Sequence, residues 1–129
     1  MRPRNRLARR FFFAYQKGGF KILFSISKTF YVGEGVAEIM TWNNGLRKGN
    51  WEQYFSDGKL KLRGNYDNDE NEGEITAYYP SGKMLYSGNY HDGLRIGTWI
   101  YYDDKGNVEK KEIYKNGVIV KEEETGKGQ

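Results

Sequence analysis

A chain of 129 residues, 37% hydrophobic and 16% aromatic, has room for one domain. It holds no cysteine and a single histidine, His91, which excludes disulfides, thiolate metal sites, a cysteine nucleophile and a multi-histidine metal cluster. The net charge of +4 is the sum of two unlike parts: residues 1–28 carry eight Lys and Arg with no acid, leaving −4 for the remainder.

The chain begins with a basic arm, residues 1–19, bearing Arg2, Arg4, Arg6, Arg9, Arg10 and Lys17. Leu7, Phe11 and Ala14 or Tyr15 fall at helical spacing, which allows a basic amphipathic helix lying on a phosphate-rich surface, either nucleic acid or an anionic membrane. A solvated or partner-docked tail is the simpler reading. The longest apolar run, Phe11 to Tyr15, falls short of the ~7–15 residues of a secretory core and the ~20 of a spanning helix. A cytoplasmic location is therefore expected ahead of a degraded export or organellar targeting signal.

Residues 20–44 read as a worn copy of the unit that recurs in residues 45–117. Ile22 to Tyr31 and Val36 to Trp42 are expected strands, and Gly33-Glu34-Gly35 is the turn between them.

From residue 45 to 117 the chain repeats with a 24-residue step. Gly49, Gly73 and Gly97 set the register; Trp51, Ile75 and Trp99 follow at two places, Tyr54, Tyr78 and Tyr102 at five, Gly58, Gly82 and Gly106 at nine, and Tyr66, Tyr90 and Tyr114 at seventeen. Each unit reads as a β-hairpin whose turn is Ser56-Asp57-Gly58, Pro80-Ser81-Gly82 or Asp104-Lys105-Gly106. In the second strand, Leu60, Leu62, Gly64 and Tyr66 alternate with Lys61, Arg63 and Asn65, giving one dry and one wet face. Met84, Tyr86, Gly88 and Tyr90 repeat the dry face, whereas Val108, Lys110, Glu112 and Tyr114 degrade it, as a capping hairpin would. The inward glycines leave a gap for a large ring from a neighbouring strand, and Trp51 and Trp99 are placed there. The expected fold is all-β: an elongated open single sheet of successive antiparallel hairpins over residues 20–120, followed by a flexible charged tail, 121–129.

The pattern Asn-Gly-x-x-x-Gly-x-Trp-x-x-Tyr-x-x-x-Gly-Lys, continuing to Gly-x-Tyr, resembles the bacterial MORN-variant repeat of proteins often labelled YwqK-type antitoxins. The likeness covers about residues 41–120 and is best at Gly93 to Gly117. It implies a single elongated sheet without catalytic residues, used to bind proteins or, in some eukaryotic members, lipids. The units here are longer than the eukaryotic ones, and Asp67-Asn68-Asp69-Glu70-Asn71-Glu72 replaces the usual Asn-Gly junction, so lipid binding carries over poorly.

Chemistry-bearing patterns are scarce. Asp67-x-Asp69-x-Asn71 hints at a calcium loop, but the sixth place is Glu72 and the twelfth Tyr78, where glycine and glutamate are required. No Gly-x-x-x-x-Gly-Lys-Ser/Thr loop occurs, and Asp103-Asp104 sits beside a turn, where Asp is expected for local reasons. His91 shares its repeat column with Asp67 and Lys115, the mark of an exposed junction. No metal, cofactor, small-molecule substrate or catalytic residue is expected.

What remains is surface. Tyr54, Tyr78 and Tyr102 recur on the side of the sheet opposite Trp51, and Tyr79 and Tyr101 add rings, so a protein partner is expected to dock on this aromatic face. Cross-strand packing that builds the sheet is the competing role for any one of these tyrosines. Residues 1–28 offer a second contact, with nucleic acid or an anionic membrane.

Overall fold

The computed structural model describes the backbone of residues 5–17, 20–33 and 35–125, and side chains from Phe24 onward. The chain is a meander of strands: β1 (Asn5–Lys17), β2 (Phe20–Tyr31), β3 (Val36–Asn43), β4 (Leu46–Tyr54), β5 (Leu60–Asp67), β6 (Glu70–Asn71), β7 (Gly73–Tyr78), β8 (Met84–His91), β9 (Leu94–Tyr102), β10 (Val108–Lys115) and β11 (Val118–Glu124). All pair antiparallel with their neighbours in chain order in one open sheet, β6 lying on β5 as the detached start of β7. The sheet is all-β and built of successive hairpins, as expected.

The arm differs from the helix its spacing allowed. Asn5–Lys17 is a strand, paired with β2 from Asn5↔Tyr31 to Lys17↔Phe20. Phe11-Phe12-Phe13 and Tyr15 favour extended backbone, and the otherwise unpaired edge of β2 supplies hydrogen-bond partners that a solvated helix would not use. Arg2 and Arg4 lie outside the described residues, while Arg6, Arg9, Arg10 and Lys17 are positions along β1. At the other end, β11 runs on to Glu124, and the Thr125 amide donates to the Glu109 carbonyl, because β10 offers the same kind of edge.

Two kinds of turn alternate along the sheet. On one rim, Asn44-Gly45, Asn68-Asp69, Asp92-Gly93 and Asn116-Gly117 each place two residues at positive φ, the two-residue hairpin turn whose twist matches that of the flanking strands. The Asp67–Glu72 junction, which lacks the usual Asn-Gly, is therefore one more tight turn, with Asp69 at φ 70°. Arg47 holds it there: its backbone amide and Nε both donate to Asp69 Oδ1 at 2.9 Å, and the Asp69 amide donates back to the Arg47 carbonyl. These bonds, the backbone one foremost, keep the Asp69 carboxylate below its ordinary pKa. On the opposite rim, residues 56–58, 80–82 and 104–106 form the expected three-residue turns, each ending in a glycine near φ 91–93°.

The register-setting glycines have a structural role. Gly49, Gly73 and Gly97 take φ values of 113°, 78° and 65°, accessible to glycine and strained for most other residues. At each the sheet bulges: Met40↔Trp51 gives way to Trp42↔Arg47, Arg63↔Thr76 to Tyr66↔Asn71, and Ser87↔Ile100 to Asn89↔Ile96. In every case the glycine strand carries two extra residues, and the even number keeps the aromatic side chains on one face.

Candidate functional site

Alternation along the paired strands sorts the side chains into two faces. The first carries Trp51, Gly64, Tyr66, Ile75, Tyr86, Gly88, Tyr90, Trp99 and Tyr114, including the most buried rings among the described residues: Trp99 is 0% exposed and Tyr66 7%. Trp51 sits against Gly64, its partner within the hairpin. Trp99 turns the other way, onto Gly88 of the preceding hairpin, because its own hairpin partner is Glu112. Both tryptophans thus occupy glycine gaps, as expected, but on different sides. Tyr86 stacks on Trp99 at 5.9 Å between centroids, and Tyr90 meets it edge-on at 5.1 Å.

Arg47 lies 4.3 Å above Tyr66 and Arg95 4.2 Å above Trp99, the two arginines two repeat steps apart in sequence. Arg95 Nη1 donates to the hydroxyls of Tyr101 and Tyr114. Glu112 completes this group, accepting from the Tyr114 hydroxyl at 3.0 Å and meeting Lys110 Nζ at 3.2 Å. A buried carboxylate is costly unless compensated, and burial alone would raise its pKa; the Tyr101, Lys110 and Tyr114 donors outweigh it and hold Glu112 below the ordinary value. Burial and the nearby carboxylate push Tyr101 up to about 12. The degraded third unit is therefore polar inside as well as at its edge.

The second face carries Tyr54, Tyr78 and Tyr102. Tyr54 donates to Glu52 Oε2 at 3.0 Å, and Glu52 also meets Arg63 at 3.4 Å, which fixes these side chains on the same side. The three tyrosines are half-buried and stand two strands apart, roughly 10 Å by strand spacing. Beside Tyr78 an open depression of about 560 Å³ is lined by Asn50, Arg63, Asn65, Glu74 and Thr76. The repeat does not single these out: the columns of Arg63 and Asn65 continue as Ser87 and Asn89, then Lys111 and Ile113, and that of Thr76 continues as Ile100. Only their alternation with the dry side would have pointed to them.

The remaining two tyrosines are placed differently. Tyr101 neighbours Tyr102 and so points to the tryptophan face, where its ring lies 5.9 Å from Tyr86. Tyr79 donates its hydroxyl to the Tyr102 carbonyl at 2.7 Å, as Tyr31 does to the Tyr54 carbonyl at 2.6 Å. These two bonds tie successive hairpins together in the same repeat column, and the worn unit keeps the bond although it has lost its glycines.

On the rim of tight turns, Glu72, His91 and Asp92 bring ligand-type atoms within 4.8 Å of one another. The grouping is accounted for by pairing: Glu72 Oε1 meets His91 Nδ1 at 2.9 Å, and Glu72 Oε2 accepts from the Asp92 amide at 2.8 Å. Lys48 and Asp67, 3.5 Å apart, fill the same two columns one unit earlier with the charges reversed. His91 is exposed, as its column predicts.

Successive hairpins, a tryptophan face packed on glycine gaps and tight Asn-Gly-type turns define an open β-hairpin repeat protein. The family model described as the MORN repeat variant matches residues 47–68, 71–92 and 95–116, half of the chain, and the protein belongs to that family. No curated protein matches the chain. Repeats of this kind commonly bind proteins or membranes, and the family is generally non-catalytic.

Proposed function

We propose that the chain is a non-enzymatic interaction module, scaffold-like or antitoxin-like in its mode of action, which holds a protein partner against the face carrying Tyr54, Tyr78 and Tyr102. The observation behind this reading is that three half-buried tyrosines recur in one repeat column on one side of the sheet, next to a polar depression. Tyrosine provides large contact area at small entropic cost together with a hydroxyl. Tyr79 and Tyr101 serve the packing of the sheet instead, Tyr79 through its bond to the Tyr102 carbonyl and Tyr101 on the opposite, tryptophan face.

The test is affinity capture with the intact chain and with Tyr54→Ala, Tyr78→Ala and Tyr102→Ala combined. Loss of a captured protein from a variant that keeps its β-sheet circular dichroism supports the reading; retention of every partner refutes it. A second reading, an accessory subunit of a ribonucleoprotein or membrane-associated assembly anchored by residues 1–28, rests on the segregation of eight positive charges in that segment. It predicts binding that falls steeply with salt and is lost when residues 1–17 are removed.

A further inference from the structure

We propose that copies of this chain join head to tail, β11 of one copy pairing antiparallel with β1 of the next. The proposal is independent of the tyrosine-face reading, because it uses the two ends of the sheet and leaves both faces open. Among the described residues, β1 pairs only with β2 and β11 only with β10, so each presents a row of unpaired amides and carbonyls. Along the sheet the order is β1-β2-β3-β4-β5-β7-β8-β9-β10-β11, and every neighbouring pair is antiparallel, so β1 and β11 run in opposite directions. Setting β1 of a second copy beside β11 therefore continues the antiparallel alternation without inverting the sheet.

The chemistry of the two strands matches in that arrangement alone. β11 begins with Val118, Ile119 and Val120, which are 63%, 42% and 59% exposed, and continues Lys121-Glu122-Glu123-Glu124. β1 has the opposite order: Arg6, Arg9 and Arg10 come first and Phe11-Phe12-Phe13 follow. Antiparallel pairing brings the apolar half of one to the apolar half of the other, and the acidic half to the basic half. Pairing β11 with another β11 in antiparallel sense would set glutamates against valines, and β1 with β1 would set arginines against phenylalanines. Within the sheet, Glu123 and Glu124 stand opposite Lys111 and Lys110, but Glu122 stands opposite Glu112, a like-charge pair that an arginine on an incoming strand would relieve. Because the two surfaces are different, the contact is heterologous and copies add in a line unless the accumulated rotation closes a ring.

The experiment is sedimentation velocity on the purified, nuclease-treated full chain over a concentration series. It is run with wild type, with Glu122→Lys, Glu123→Lys and Glu124→Lys combined, with Arg6→Glu, Arg9→Glu and Arg10→Glu combined, and with the two variants mixed. Expected are a wild-type mass that rises with concentration, a monomer for either variant alone, and renewed assembly in the mixture, where a junction between the two reversed strands is again of opposite charge. A wild type that stays monomeric to its solubility limit, a single variant that assembles like wild type, or a mixture that stays monomeric overturns the proposal. Should a reversal lose its β-sheet signal, Glu122→Gln with Glu123→Gln is measured in its place; weakened assembly is expected, and unchanged assembly overturns the proposal. Neither set of changes touches Tyr54, Tyr78 or Tyr102, so partner capture by these variants reports on the tyrosine face separately.

Discussion

Trp99 lies across Gly88 so closely that a Cβ on that glycine would stand 2.2 Å from Cδ2 of the indole. The indole cannot simply withdraw, since Trp99 is 0% exposed and boxed in by Tyr86, Tyr90 and Tyr114. Gly88→Ala is therefore an overpacking substitution and should cost about 3 kcal/mol, the upper part of the usual range. Gly64→Ala should cost clearly less, because Trp51 Cε3 is 3.3 Å from the corresponding position. Urea unfolding midpoints of the two variants decide the matter; equal losses would mean that the Trp99 ring can shift.

The hydroxyl of Tyr79, bonded to the Tyr102 carbonyl at 2.7 Å, links two hairpins, and Phe55 occupies the same repeat column without a hydroxyl. Tyr79→Phe should remove about 1 kcal/mol of stability, the net worth of one such bond. Phe55→Tyr should add a similar or smaller amount by supplying the missing bond to the Tyr78 carbonyl. Thermal melts of the pair test both signs, and a Phe55→Tyr variant that melts lower than wild type would refute the equivalence.

Arg95 is held by its flat face as well as by its charge, lying 4.2 Å over Trp99 and 5.5 Å over Tyr114. Although burial lowers its pKa, the hydroxyls of Tyr114, Tyr101 and Tyr90 raise it overall, so it stays charged. Arg95→Lys keeps a charge but loses the planar stacking and the fork of donors, and should cost about 1 kcal/mol. Denaturant unfolding measures it, and no loss would show that the cation alone is sufficient.

The Glu72–His91 pair gives the rim of tight turns a pH dependence. The bond to Glu72, reinforced by Asp92, raises His91 above its ordinary 6.5, so its stabilisation is complete below that value and is lost as pH rises through the raised one. The Asp92 amide, with His91, lowers Glu72 below its ordinary 4.5, so its stabilisation is present above that value and is lost as pH falls through the lowered one. The rim is thus tied best between 4.5 and 6.5. The effect is small because the pair is exposed. Melting temperatures of wild type should decline more steeply above this window than those of His91→Gln; parallel curves would show that the pair contributes nothing.

The hairpins, their three-residue turns and the seating of both tryptophans were legible because a 24-residue step makes each residue report on two others. The arm was less so: helical spacing of Leu7, Phe11 and Tyr15 competes with the β-preference of three consecutive phenylalanines, and an available edge at β2 decides for the strand. The Asp67–Glu72 junction concealed a tight turn because Asp69 stands where the other units have glycine, and the Arg47 bonds that hold it come from a residue twenty-two places earlier. On the candidate surface, the tyrosine column was visible. The separation of Tyr101 from Tyr102 follows from simple alternation once the Trp99 face is fixed, whereas the depression around Arg63 is lined by residues whose columns change from unit to unit, and so leaves no periodic trace.

The paired bulges at Gly49, Gly73 and Gly97 add residues in even number, so every unit hands the next the same side of the ribbon. Such a molecule is a ruler. Duplicating one block would lengthen it by roughly 10 Å, two strand spacings, with the graduations and both ends unchanged.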